Sequence, residues 1–176
     1  MLRKIHVFDD IVDNNHQENL KKIMLGKNFP WFFSNDVSYE NNKEQSRPGF
    51  KHYFVIDKKI NSSLHEYILP IINNSLKKAK FKYKNILQGR SFFQLPLNVK
   101  DINKVDTPHI DLDQPHVVVL YYVIDNEAHT IIYKDKKLFK KIKPKQGRVV
   151  VFNGHYWHTA EQPKQNKRCV INYNVI

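Results

Sequence analysis

The sequence predicts an α+β domain, mainly β, whose sheets curl into a sandwich or barrel. Three observations predict it. Two helix-like stretches, both before residue 80, precede a series of short strand-like stretches. The hydrophobic period changes from helical to two residues after Lys84. Eight apolar residues run unbroken from Val117 to Ile124, the pattern of a strand buried on both faces.

The elements follow in order. Ile5–Phe8 reads as a short strand. Asp13 or Asn14 can cap a helix running to about Leu25, with Gly26 placed to end it. Phe29-Pro30-Trp31-Phe32-Phe33 reads as an aromatic anchor for the core. Residues 34–48 are polar and aperiodic, a loop long enough to serve as a substrate lid. His52–Ile56 reads as a strand. Ser63-Leu64-His65-Glu66 has the capping-box pattern, and Leu64, Ile68, Ile71, Ile72 and Leu76 follow at helical spacing. Pro70 inside that run is expected to kink or split the helix. From Ile86 to Leu95 the period is two, with Ile86, Gln88, Arg90, Phe92 and Gln94 on one face. Further strands are expected at 104–110, 117–123, 130–133, 148–152 and 167–175.

A chain of 176 residues is long enough to bury a sizeable core as one domain, 1–176, with helical support mainly in 10–80 and a β core mainly in 85–176. No apolar run approaches the ~20 residues of a membrane helix. Acid follows the first apolar residues too soon for a signal peptide, and the single cysteine, Cys169, forms no internal disulfide, so a cytoplasmic location is expected. The net charge is +12, but 24 of the 29 basic residues are Lys, and Lys, Asn and Ile together make 59 residues. These are the amino acids of A/T-rich codons, so the charge does not by itself make nucleic acid the partner.

Two stretches carry chemistry. In Thr107-Pro108-His109-Ile110-Asp111, an extended backbone puts His109 and Asp111 on one side, where they can take adjacent positions on one metal ion. In Val149–Thr159 a strand ends at Asn153-Gly154, and His155 and His158 follow. A third ligand there completes two His and one carboxylate, the facial set of non-haem Fe(II) oxygenases. Arg168 lies ten residues after His158.

His109-x-Asp111, His158 and Arg168 together resemble the Fe(II)/2-oxoglutarate-dependent dioxygenases, nearest to their prolyl-4-hydroxylase-like branch. The resemblance spans roughly Asn85 to the C-terminus. It implies a double-stranded β-helix, a jelly-roll or cupin-like core braced by N-terminal helices. It implies Fe(II) on His109, Asp111 and His158, with 2-oxoglutarate and O₂ as cosubstrates and ascorbate as an accessory reductant. Arg168 would pair with the distal carboxylate of 2-oxoglutarate. Tyr121-Tyr122-Val123 is similar to the family's Tyr-Tyr-Leu strand, which brings Tyr122 to the same carboxylate. His158 is preferred to His155 because Pro163 follows it at the family's His-x-x-x-x-Pro spacing. The turn that often reads Gly-Gly-x-Thr is Glu127-Ala128-His129-Thr130 here. Members that repair alkylated nucleic acid carry a second Arg where this chain has Asn174, and Asn172 stands where some members have a small hydroxyl residue.

The implied activity is a hydroxylase on a prolyl, peptidyl or small-molecule substrate. A silent binding module of the same fold, and a basic nucleic-acid-binding protein, are the alternatives. Arg90 and Gln94 are candidates to line the cavity, and Trp157 to wall its substrate side. His116 and His129 read as satisfied or exposed, and Cys169 as facing away from the pocket.

Overall fold

The computed structural model describes residues 2–37, 47–96 and 105–176. Its elements in chain order are β1 (His6–Phe8), α1 (Asn14–Met24), β2 (Phe32–Ser34), β3 (Gly49–Ile56), β4 (Lys59–Ile60) and α2 (Leu64–Lys78). Then come β5 (Ile86–Gln94), β6 (Val117–Tyr122), β7 (Thr130–Lys134), β8 (Lys137–Ile142), β9 (Val149–Asn153), β10 (His158–Ala160) and β11 (Arg168–Val175). They form a jelly-roll of two antiparallel sheets. The major sheet has the order β1-β9-β6-β11-β5-β3-β2, with β4 paired to β3, and the minor sheet is β10-β7-β8.

The major sheet is covered on both faces, which is why β6 and β11 are buried along their whole length. Val117, Val119, Tyr121, Ile171 and Tyr173 pack under the two helices, against Leu20, Met24, Ile68, Ile71 and Ile72. The alternate residues Val118, Leu120, Tyr122 and Val170 meet Ile132 and Ile142 of the minor sheet. Strand alternation thus sorts β6 and β11 into a helix-facing set and a set facing the space between the sheets.

The helices differ in how they begin. Asp13 caps α1, its side chain accepting from His16 N at 2.9 Å. Ser63 does not cap α2: its backbone is itself helical and its hydroxyl makes no cap bond, so the expected capping box does not form. Pro70 does not split α2, which runs on through it. The apolar face made by Ile68, Ile71, Ile72 and Leu76 is fully buried, and that packing offsets the hydrogen bond that proline removes.

Other expectations need revision. Phe32 and Phe33 are 64% and 65% exposed on edge strand β2, so only Phe29 of the aromatic anchor is buried in the core. The stretch before Asp111 is not a continuous strand: Val105 and His109 make isolated bridges to Glu161 and His158. Strands β8 and β10 carry no clear period-two signal and are additional elements. Within 10–80, β3 carries the strand expected at His52–Ile56 and lies between β5 and β2 in the major sheet. The loop expected as a lid falls mostly at 38–46, outside the described residues; at its base Val37 N donates to Arg47 O at 2.9 Å. Among the described residues no helix is long and apolar enough to cross a membrane.

Candidate active site

Two backbone pairings build the centre of the site. His109 N donates to His158 O at 3.0 Å and His158 N to His109 O at 2.9 Å, so the two residues stand directly opposite and project their imidazoles to one side. Asp111, in the bend two residues on, joins them. One potential ligand atom from each residue lies within 4.8 Å of the others. Nε2 of His109 and Nε2 of His158 are each 3.7 Å from a different oxygen of Asp111. His155, by contrast, is exposed in the turn after β9, its N–H donating to Asn153 Oδ1 at 3.0 Å.

This donor set fits a divalent metal. Each imidazole uses Nδ1 on a backbone carbonyl, His109 on Thr107 O at 3.0 Å and His158 on Tyr156 O at 3.1 Å. With the proton on Nδ1, each Nε2 keeps its lone pair toward the group's centre, the tautomer a metal requires. Burial above all pushes His109 down to about 4, so it is neutral at physiological pH. Burial alone would raise Asp111, but the Arg90 charge above all holds it well below the usual carboxylate range.

The triad lines a cavity of about 310 Å³ between the sheets. Rows of residues across the major sheet form its floor. Tyr53, Arg90, Asn172 and Leu120 are register partners on β3, β5, β11 and β6, and all four line the cavity. Arg90 pairs with Asp111 Oδ1, and Asn172 donates to its Oδ2 at 3.1 Å. Both Arg90 and Gln94 therefore line the cavity, as the strand period indicated.

Arg168 enters the same cavity from the start of β11, opposite Gln94. Its Nη1 donates to Gln94 Oε1 at 2.8 Å and its Nη2 to Thr130 Oγ1 at 3.4 Å. Nε has no partner, and among the described residues the guanidinium makes no ion pair although it is buried. The Asp106 carboxylate acts on this cation only across the Gln94 amide, so a direct anionic partner would still be favoured there. The site therefore fits a carboxylate ligand, for which guanidinium geometry is suited. Tyr122 lies behind this wall: its hydroxyl donates to Thr130 Oγ1 at 2.7 Å, so it meets Arg168 through Thr130.

Sequence reasoning missed Asp106 and Thr130. Asp106 is buried and takes Arg47 Nε at 3.1 Å, Gln94 Nε2 at 3.4 Å and the Gln162 amide. Burial pushes its carboxyl up, against the Gln162 hydrogen bond and the charges of Arg168 and Arg47. Its partners are far away in sequence, so no local signal marks it. Thr130 did have one, as the last residue of the turn compared with Gly-Gly-x-Thr. Trp157 is exposed and outside the cavity lining, while Cys169 is buried on the helix side. His129 bonds Glu161 at 2.8 Å; His116 is buried, with Nδ1 on Gln114 O at 2.8 Å and Nε2 unpartnered.

No protein-family model and no curated protein matches the chain. Solved structures do, and they define the fold as that of the 2-oxoglutarate/Fe(II) oxygenases. An oxidoreductase of the 2OG-Fe(II) oxygenase family from Burkholderia pseudomallei superposes with a TM-score of 0.76 at 11% identity, over 97% of this chain and 84% of that one. A Trichoplax adhaerens prolyl hydroxylase, in complex with a hypoxia-inducible-factor peptide, gives 0.70 at 16% identity, over 98% and 83%. The α-ketoglutarate-dependent epimerase SnoN of nogalamycin biosynthesis gives 0.68 at 8% identity, over 98% and 77%.

Proposed function

We propose that this chain is an Fe(II)- and 2-oxoglutarate-dependent dioxygenase, acting as a hydroxylase within one domain, 1–176, in the cytoplasm. The observation that carries the reading is a His-Asp-His group and a buried Arg168 without an ion-pair partner among the described residues, lining one cavity. His109, Asp111 and His158 would hold Fe(II). The metal would supply the oxidising chemistry: 2-oxoglutarate, O₂ and a C–H bond become succinate, CO₂ and an alcohol.

The chain's own residues orient and shield. His109, Asp111 and His158 would hold the metal from one wall, and the cavity they line would leave room for the cosubstrate and O₂. Arg168 receives the distal carboxylate, with Gln94 and Thr130 fixing the plane of its guanidinium. Tyr122 supports that end through the Thr130 hydroxyl. Arg90 and Asn172 hold the Asp111 carboxylate, one at each oxygen. A prolyl hydroxylase in complex with a peptide and an epimerase of nogalamycin biosynthesis among the fold neighbours support a prolyl, peptidyl or small-molecule substrate equally.

The test is succinate formation from 2-oxoglutarate with Fe(II), ascorbate and O₂, followed without a primary substrate. Slow uncoupled turnover that Asp111→Ala abolishes supports the reading. No turnover, and none added by any peptide or small molecule screened, supports a silent module of the same fold.

A further inference from the structure

The cavity extends past the stretch a cosubstrate would fill. Arg168 and Gln94 are register partners at one end, and Asn172 and Arg90 are register partners four residues along the same two strands. At ~3.3 Å per residue the two rows are about 13 Å apart. Asp111 is bonded by both members of the second row, so the His-Asp-His group closes over that row. A short diacid reaching from Arg168 to a metal on this group takes up the space between the rows. Gln88 is the next residue of β5 on the cavity face, and it lies beyond the second row, on the side away from Arg168. The room lined by Gln88, Arg90 and Tyr53 is left for the primary substrate.

Arg90 carries a charge that the loaded site leaves over. Its side chain is 18% exposed and meets the fully buried Asp111 carboxylate, so in the empty cavity the two charges offset one another. With Fe(II) and 2-oxoglutarate bound, the two positive charges of the metal are met by Asp111 and one cosubstrate carboxylate, and Arg168 is met by the other. The Arg90 charge then has no counterpart among the described residues, since Asp106, the other acid of the lining, is paired with Arg47. A largely buried cation in that position favours an incoming anion. The guanidinium is already held, by Asp111 and by the Phe92 ring, whose centroid is 5.2 Å from Cζ, and its Nε is unpartnered. Gln88 Oε1 accepts from Asn174 Nδ2 at 3.5 Å, while Gln88 Nε2 donates to none of the described residues. Arg90 and Gln88 thus offer N–H donors side by side, and an ionised carboxylate is the group that only accepts.

We propose that the primary substrate is a small carboxylic acid, its carboxylate held by Arg90 and the Gln88 amide on the far side of the metal group from Arg168. The proposal rests on the Fe(II)/2-oxoglutarate reading and narrows its substrate. A cavity of about 310 Å³ is at the small end of the ~300–1,000 Å³ of ligand sites and has to hold two ligands, which favours a small molecule over a peptide. A neutral prolyl ring leaves the Arg90 charge unmet. A phosphate, at about −1.5 to −2, exceeds the single charge left over. Arg90 is thereby a specificity-determining residue as well as a support for Asp111.

The experiment is saturation-transfer NMR on the full chain loaded with 2-oxoglutarate and Zn(II), a metal without redox chemistry, so that no turnover occurs. The probes are small monocarboxylic acids, each beside its primary amide: isobutyrate with isobutyramide, and benzoate with benzamide. Each acid should bind about tenfold or more tighter than its amide, because the amide gives up a charge-assisted hydrogen bond. Arg90→Gln should bring that ratio close to one, and Arg90→Lys should keep part of it. Gln88→Glu, which leaves Asp111 untouched and puts a carboxylate beside Arg90, should also remove the preference, and it decides the matter if Arg90→Gln fails to load. A purely structural Arg90 would leave the acid–amide ratio unchanged. Equal binding of acids and amides by the loaded parent, or transfer to no acid, overturns the proposal. So does an acid preference that survives in the loaded variants, which assigns the acids to the metal itself. If the parent binds neither Zn(II) nor 2-oxoglutarate, the underlying reading fails as well; loading without acid preference removes this inference alone.

Discussion

Gln94 joins Arg168 to Asp106: its Oε1 accepts from Arg168 Nη1 at 2.8 Å and its Nε2 donates to Asp106 Oδ2 at 3.4 Å. One amide thus separates a buried cation from a buried anion that would otherwise neutralise it. Asp106 is satisfied by Arg47 and Gln162, and Arg168 is left with charge to offer a ligand. Two predictions come from this arrangement.

Arg168→Ala should weaken 2-oxoglutarate binding by about 3 kcal/mol, roughly 100-fold in Kd, because it removes a charge-assisted contact in a buried setting. Metal affinity should change little, since Arg168 bonds Gln94 and Thr130 and none of the triad. Calorimetric titration of each ligand in turn separates the two effects.

Asp106→Ala should destabilise the fold by about 3–5 kcal/mol, because it removes a buried carboxylate that accepts from Arg47, Gln94 and Gln162 together. Asp106→Asn, which keeps a carbonyl acceptor, should cost less. Urea denaturation of the three proteins checks the order.

Gly89 faces Tyr173 across β5 and β11, and a Cβ at position 89 would lie 2.5 Å from the Tyr173 ring. That ring is itself held, its hydroxyl 3.0 Å from His65 Nδ1. Gly89→Ala should therefore cost about 1–3 kcal/mol through overpacking, read as a lower midpoint in thermal unfolding.

Stability should also depend on acid through Asp9, which ties the chain after β1 to Arg148 at 2.7 Å and Lys145 at 3.2 Å. The Arg148 hydrogen bond, against the effect of burial, holds its carboxyl at about 2, below an unfolded value of 3.8. A carboxyl lowered in the folded state stabilises above the unfolded pKa, and that contribution is lost as pH falls from about 4 to 2. About 1 kcal/mol is expected, because the pair is partly exposed and screened. Asp9→Asn should lose that amount at pH 7 and flatten the acid limb between those values.

The sequence carried the parts of the site that obey local rules. His109 and Asp111 come together as their two-residue spacing suggested, although through an isolated bridge and a bend rather than a strand. Arg90 and Gln94 lie on the cavity face of β5 because strand β5 alternates. The run 117–124 read as doubly buried because helices cover one face of β6 and the minor sheet the other. What stayed hidden depends on distant partners. Asp106 needs Arg47, Gln94 and Gln162 around it, and Thr130 joins Tyr122 to Arg168 only after β7 is laid against β6 and β11. Strand β8 was missed because an edge strand exposed from Lys137 to Lys141 has no buried face to impose a period. Phe32 and Phe33 misled because aromatic residues were read as core, while β2 is the edge beyond β3.

The central claim is that the cavity binds Fe(II) and 2-oxoglutarate together, and anaerobic titration of the apoprotein tests it most directly. Fe(II) followed by 2-oxoglutarate should produce the weak visible charge-transfer band of their chelate. The band should disappear in His158→Ala, survive in His155→Ala and need about 100-fold more cosubstrate in Arg168→Ala. Absence of the band in the parent protein, with neither ligand bound, would contradict the account and leave the fold without this chemistry.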